Sequence, residues 1–129
     1  MRQALRMAHM APEEIGYMNA HGTATKAGDS AEATAIQSVF GAAQPNVSST
    51  KGATGHMMGA GGITEAIACI QALRTGVLPP NLNLDHPEVP LHFVANVSCH
   101  QEIQAAMTNA FGFGGQNSSL IFKKIDSFG

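Results

Sequence analysis

The chain has 129 residues, a formal net charge of −2, and 12% charged against 44% hydrophobic residues. That length suits one domain, the charge provides no basic field for nucleic acid or an anionic membrane, and no apolar run nears the roughly 20 residues of a bilayer span. The charged fraction is about half the usual one, so much of the surface is expected to face another chain or another part of the same chain.

Met1 to His9 reads as a helix that begins without a cap, with Leu5 and Ala8 on one face. The first residues have neither the apolar core of a signal peptide nor the character of a transit peptide. Pro12-Glu13-Glu14 is a connector. Ile15 to Ala20 reads as a strand that runs straight into His21-Gly22-Thr23-Ala24-Thr25. Asp29 and Glu32 have the spacing of a capping box, with Asp in place of Ser or Thr. Ile36, Val39 and Phe40 supply an apolar helical face, and Gly41 ends the helix.

Asn46 to Ser49 is the next strand, followed by a turn to Gly62 that crowds Lys51, His56 and five glycines together. Ile63, Ile67, Ile70 and Leu73 then recur every three to four residues, which predicts a helix to Arg74 or Thr75, closed by Gly76. Residues 77 to 91 hold four prolines and read as an extended excursion. His92 to Val97 is a candidate strand. Ala105 to Phe111 and Asn117 to Lys123 read as two strands joined by Gly112-Phe113-Gly114-Gly115-Gln116, a connection short enough for an antiparallel hairpin. The order β-α-β-α-(loop)-β-β predicts an α/β fold with helices packed on a mixed sheet, parallel first and ending in an antiparallel pair. Cys69 and Cys99 stand apart in sequence and read as free, inert thiols in a reducing compartment.

Three polar clusters end these strands: His21 to Thr25, Lys51 to His56, and Gly112 to Gly115. Strand ends on one edge of a parallel sheet converge, so two histidines and a lysine are expected to share a pocket. An imidazole buried near Lys51 stays neutral, because desolvation and the neighbouring charge both disfavour imidazolium. Two neutral imidazoles can donate to a carbonyl oxygen and stabilise an enolate or oxyanion; backbone amides of the Phe113 turn offer a second such site. The pattern points to carbonyl chemistry: acyl transfer, enolate formation or decarboxylation.

Other chemistries lack their signatures. There is no phosphate-binding G-x-x-x-x-G-K-[ST] loop, and Gly59-Ala60-Gly61 lacks the third glycine of a dinucleotide fingerprint. His21 and His56 could ligate zinc, but no third ligand stands at a familiar spacing, so no metal is assigned. His9, His86, His92 and His100 read as surface or packing residues, and Met57-Met58 as core or pocket lining.

Asn19-Ala20-His21-Gly22-Thr23-Ala24-Thr25, Ser49-Thr50-Lys51-Gly52-Ala53-Thr54-Gly55-His56 and Asn109-Ala110-Phe111-Gly112-Phe113-Gly114-Gly115-Gln116-Asn117, in this order, resemble the motifs of the β-ketoacyl-acyl carrier protein synthases. These are condensing enzymes of the thiolase superfamily, and the closest resemblance is to the type II elongating ones. Pro79-Pro80-Asn81-Leu82-Asn83-Leu84-Asp85 also fits, and the match covers nearly the whole chain. The histidine pair argues against the initiating condensing enzymes, which pair His with Asn, and against thiolases.

The resemblance implies a thiolase-like fold and decarboxylative condensation of malonyl-acyl carrier protein with an acyl group held on a cysteine, in fatty acid biosynthesis. His21 and His56 would bind the malonyl thioester carbonyl while carbon dioxide leaves, and Lys51 would organise the site. Thr23 and Thr25 would contact the pantetheine arm. Phe113 would contribute its backbone amide to an oxyanion hole and its ring as a gate, with Gly112 and Gly114 as substrate contacts beside it. Glu65 would support the Lys51 and His56 region. No cofactor is implied beyond the phosphopantetheine that arrives on the carrier protein. The implied partners are acyl carrier protein thioesters, the N-terminal half of the same enzyme and, when complete, a second copy; the compartment is the cytoplasm or an organellar matrix.

The family's nucleophilic cysteine belongs to the N-terminal half of a longer chain, and neither Cys69 nor Cys99 occupies its context. Residues 1–129 are therefore expected to form an incomplete C-terminal domain, inactive alone. The alternative is a non-catalytic remnant or accessory half-domain that acts in binding or assembly.

Overall fold

The computed structural model describes residues 1–125. A four-stranded sheet runs through the molecule in the order β2 (Asn46–Ser48), β1 (Tyr17–Asn19), β5 (Ala105–Phe111), β6 (Asn117–Lys123). β1 pairs in parallel with both β2 and β5, and β5 pairs antiparallel with β6 over seven residue pairs, so the sheet is mixed as expected. Helix α1 spans Arg2–Ala8, α2 Lys26–Phe40, the one-turn α3 Lys51–Thr54, and α4 Gly61–Thr75. A small second sheet pairs β3 (Val77–Leu78) with β4 (Cys99–His100).

Alternation along the strands builds a core on each face of the sheet. Met18, Val47, Ala105 and Met107 pack toward Leu5 of α1 and Ile36 and Phe40 of α2. Tyr17 and Ala106 pack on the other face, against Cys69, Ala72 and Leu73 of α4. Polar groups inside are paired: Tyr17 donates its hydroxyl to Ser48 Oγ at 2.8 Å, and Ser48 Oγ donates on to the Pro79 carbonyl at 2.7 Å. Burial pushes the Tyr17 phenol up, which keeps the proton that the bond needs.

Of the residues that recur along α4, Leu73 alone marks its buried face. Ile63, Ile67 and Ile70 are exposed at 63%, 51% and 39%, while Glu65, Ala66, Cys69, Ala72 and Leu73 face the sheet. A helix that carries large apolar residues on one side and small ones on the other lets the small side approach a sheet closely. Met57 and Met58 are exposed rather than core, and Met58 takes the other role expected of the pair, lining the cleft described below. His92–Val97 is not a strand. It touches the sheet edge through Val47, whose N–H donates to the His92 carbonyl (2.8 Å) and whose carbonyl accepts from Val94 (3.0 Å). His9, His86, His92 and His100 are exposed, and both cysteines are free thiols. Among the described residues no helix is long and apolar enough to cross a membrane.

The buried face of α4 is tested by unfolding in urea. Leu73→Ala should cost about 2–4 kcal/mol, as buried truncations do, and Ile67→Lys less than about 0.5 kcal/mol, as exposed changes do. Equal losses would contradict the assignment of Leu73 to the core and Ile67 to the surface. The lysine variant should also weaken self-association of the chain in sedimentation, since it breaks the apolar stripe.

Candidate active site

Because β1, β2 and β5 are parallel, their carboxyl ends open on one edge. β1 delivers His21, β2 leads to Lys51 at the start of α3, and β5 delivers Phe111 and, in the turn, Phe113. These side chains line a single cleft of about 940 Å³, together with Thr23, Thr25, His56, Met58, Glu65, Gly112 and Gln116. Gly114, at φ 82°, shapes the turn but is outside the lining of the cleft.

The His21 loop is held from behind by Glu32 of α2. Its carboxylate, in a residue only 5% exposed, accepts the N–H of His21 at 2.9 Å, the N–H of Gly22 at 3.0 Å and the Asn109 side-chain amide at 3.1 Å. Glu32 is therefore not half of a capping box with Asp29, which lies in the first turn of α2. The sequence held a signal for this: Glu32 precedes Ile36 by four and Phe40 by eight, in line with the buried stripe of α2. A carboxylate there must find donors inside. Gly22, at φ 39°, is required because a Cβ would stand 2.6 Å from Ser49 Cβ, while Ser49 Oγ donates to the Gly22 carbonyl at 3.1 Å.

Lys51 Nζ pairs with Glu65 of α4, with 7% and 4% of the two side chains exposed. Truncating one member of such a pair leaves the other charge unmatched, at a cost of about 3–5 kcal/mol. Asn19 at the end of β1 donates to Thr50 Oγ1 at 3.1 Å, tying the His21 strand to the Lys51 helix.

The two imidazoles meet edge to face, with centroids 5.8 Å apart and planes at 88°. They are positioned differently. His56 is exposed, and its Nδ1 accepts the Met58 N–H at 3.2 Å, so the neutral ring carries its proton on Nε2. His21 is partly buried and packs at 5.5 Å from the Phe111 ring, a neighbour that the glycine-rich motif contained without marking it. His21 Nδ1 is buried with no hydrogen-bond partner. Burial, and then the Lys51 ammonium, hold this imidazole below its usual range; the Glu32 and Glu65 carboxylates pull the other way with smaller effect. Phe113 is fully exposed at 101%, so its ring touches no gate partner among the described residues.

Neither thiol reaches the cleft. Cys69 Sγ donates to the Met107 carbonyl at 3.5 Å, and burial pushes it up to about 12. Cys99 lies in β4, outside the cleft lining. Among the described residues no group of three or more His, Cys, Asp or Glu side chains is placed to hold a metal ion.

The family model for the β-ketoacyl synthase C-terminal domain matches residues 1–85 of this chain. The chain belongs to that family. Its curated relatives include the 3-oxoacyl-[acyl-carrier-protein] synthase 2 of Coxiella burnetii, 44% identical over 129 residues, and that of Vibrio cholerae, 48% identical over 131. Each alignment covers 97% of this chain but only 31% and 32% of the relative, so the chain spans about a third of their length. A solved β-ketoacyl synthase from Burkholderia phymatum superimposes with a TM-score of 0.92 at 37% identity, over 98% of this chain and 31% of that one. The thiolase-like arrangement of mixed sheet and packed helices is thus shared with solved β-ketoacyl synthases.

NMR titration of the His21 ring tests the electrostatics. His21 should titrate below about 6.5, the unperturbed histidine value. Lys51→Met combined with Glu65→Gln should raise it only part of the way, because burial is the larger cause. A folded value below the unfolded one means that the unfolded chain binds the proton first. Stability from this group is therefore lost as pH falls through about 6.5 and is insensitive to pH well above it. A His21 midpoint at or above 6.5 would contradict the assigned environment.

Proposed function

We propose that this chain supplies the His-Lys-His portion of a β-ketoacyl-acyl carrier protein synthase, which condenses malonyl-acyl carrier protein with an enzyme-bound acyl group in fatty acid biosynthesis. The observation that carries this reading is the pair of imidazoles at 5.8 Å on one side of a cleft, one fixed as an Nε2–H donor by the Met58 amide and the other kept neutral by burial. When the bond from the malonyl methylene to its carboxylate breaks, the electron pair moves toward the thioester oxygen. Two neutral donors stabilise that oxygen without donating a full proton. The carbanion then attacks the acyl carbonyl, a carbon–carbon bond forms and the thiolate leaves. Removing one donor of this kind slows such steps by about 10²–10³.

In this proposal Lys51, neutralised by Glu65, holds the site's charge and packing and does not itself move a proton. Thr23 and Thr25 stand along the cleft wall with their hydroxyls 3.3 Å apart, where a pantetheine arm with amide groups finds donors and acceptors. The amide and ring of Phe113 act once an acyl chain and its binding wall are present. Phosphopantetheine arrives on the carrier protein and no resident cofactor is invoked. The acyl-accepting thiol comes from outside these 129 residues, because Cys69 is buried and protonated and Cys99 lies off the cleft. We assign the activity to an aqueous compartment, the cytoplasm or an organellar matrix, in a complete enzyme that pairs with a second copy. The absence of a cleft thiol also supports a second reading, that the chain alone is a binding or assembly module.

Mass spectrometry after incubation with an acyl-carrier-protein thioester separates these readings. The isolated chain should form no acyl adduct and no condensation product. Supplying the segment that corresponds to the rest of the relatives should restore condensation, and His56→Ala should reduce it by about 10²-fold or more. An acyl adduct on Cys69 or Cys99 with product formation, or a His56→Ala variant at full rate, would overturn the assignment. No condensation with the supplied segment would favour the binding module.

A further inference from the structure

Glu32 faces three N–H donors on a helix that also carries the core, and something must keep its two oxygens aimed at the His21 loop. Asn109 on β5 is completely buried and lies four residues before Phe113. Its Nδ2 donates to Glu32 Oε1 at 3.1 Å, and its Oδ1 accepts the Ser119 hydroxyl at 2.7 Å from the paired position on β6. The arrangement is directional. A hydroxyl can donate to Oδ1 but the carboxylate cannot, so Ser119 fixes which end of the amide meets Glu32.

We infer that Asn109, oriented by Ser119, is a positioning residue for His21: it holds Glu32 as the acceptor of the His21 and Gly22 amides and thereby ties the hairpin that carries Phe113 to the loop that carries His21. The chain of contacts runs Ser119 Oγ–H to Asn109 Oδ1, Asn109 Nδ2–H to Glu32 Oε1, and the His21 and Gly22 amides to the same carboxylate. Any shift of β5 along its own axis moves the Glu32 carboxylate, and with it the backbone that sets the His21 ring beside His56. The significance for catalysis rests on the condensing role proposed for His21; the linkage itself is independent of it.

Amide hydrogen exchange on the full chain tests the linkage without any activity. Asn109→Asp sets a second carboxylate against Glu32 and removes a donor, so the His21 and Gly22 amides should exchange roughly 10- to 100-fold faster, the range for losing a buried bond to a charged group. The paired amides of β5 and β6 should change far less. Ser119→Ala, at a partly buried site, should speed the same two amides several-fold by freeing the amide to turn, and Ser119→Thr should restore wild-type exchange. A uniform rise across the sheet, or unchanged His21 and Gly22 amides in both Asn109→Asp and Ser119→Ala, would overturn the inference. In the assembled enzyme, Ser119→Ala should lower kcat more than it raises KM. An unchanged kcat with the exchange effect intact would leave the linkage standing and count against the catalytic role of His21.

Discussion

The parallel register of β1 with both of its neighbours is the constraint from which the cleft follows. Tyr17, Met18 and Asn19 pair with Asn46 to Ser48 on one side and Ala106 to Thr108 on the other. Parallel pairing cannot be closed by a tight turn and needs a crossover, here α2 between β1 and β2. It therefore forces the carboxyl ends of three strands to one edge, and every side chain assigned to the site leaves the sheet there or in the segments just beyond. An antiparallel β1 would have put His21 and Lys51 at opposite ends of the sheet, however well the motifs were matched. The hairpin partner β6 completes the sheet and adds Asn117 and Ser118, at its start, to the lining of the cleft.

Two buried carboxylates then fix what the register brings together, and they do so in different ways. Glu32 is matched by N–H dipoles, Glu65 by a full ammonium. A carboxylate taken out of water is costly unless its lone pairs are met, and each glutamate meets that requirement only if a particular loop stands in a particular place. The requirement works as a positional lock: the His21 loop is held because two of the three donors that meet Glu32 are its own backbone amides, and α3 is held against α4 because Lys51 pairs with Glu65. The result at the cleft is two imidazoles of unequal exposure, set by backbone on one side and burial on the other.

Much of this was legible in the sequence, and the exceptions share a cause. The strands of the four-stranded sheet, the hairpin and the glycine ends of α2 and α4 were readable because local rules decide them: alternation, turn residues and left-handed closure at Gly76; the two-residue strands β3 and β4 are too short to show such a pattern. The grouping of His21, Lys51 and His56 was readable because strand order and polar strand ends suffice to place them. The orientation of α4 was not. Periodicity finds a stripe, but Ile63, Ile67 and Ile70 form that stripe for a surface these described residues do not cover, while Ala66, Cys69 and Ala72 pack inward by being small. Glu32 was misread for the opposite reason: spacing to Asp29 imitates a cap, and only its partners in the loop after β1 and on β5 show what the carboxylate is for. His92 to Val97 has strand-like composition but hydrogen-bonds to the sheet edge through the single residue Val47, without forming a ladder.

Of the non-glycine residues at positive φ, which include His9, Asn83 and Asn96, two lie in the segments that carry the site histidines. Ala24, three residues after His21, has φ 62°, and Met58, two after His56, has φ 49°, conformations that cost a non-glycine residue of order 1 kcal/mol or more. Each is in place for a visible reason. The left-handed step at Met58 belongs to the turn that brings its amide to His56 Nδ1. The step at Ala24 reverses the chain between Thr23 and Thr25, so that both hydroxyls reach the cleft before α2 begins at Lys26. Glycine would adopt either conformation without strain, but it would also leave the turn free to take other shapes. With a side chain there, the turn exists only while the Glu32 and Glu65 contacts hold the segments on either side of it. The histidine geometry is therefore a consequence of tertiary packing, and a peptide carrying the same motif outside this fold would not reproduce it.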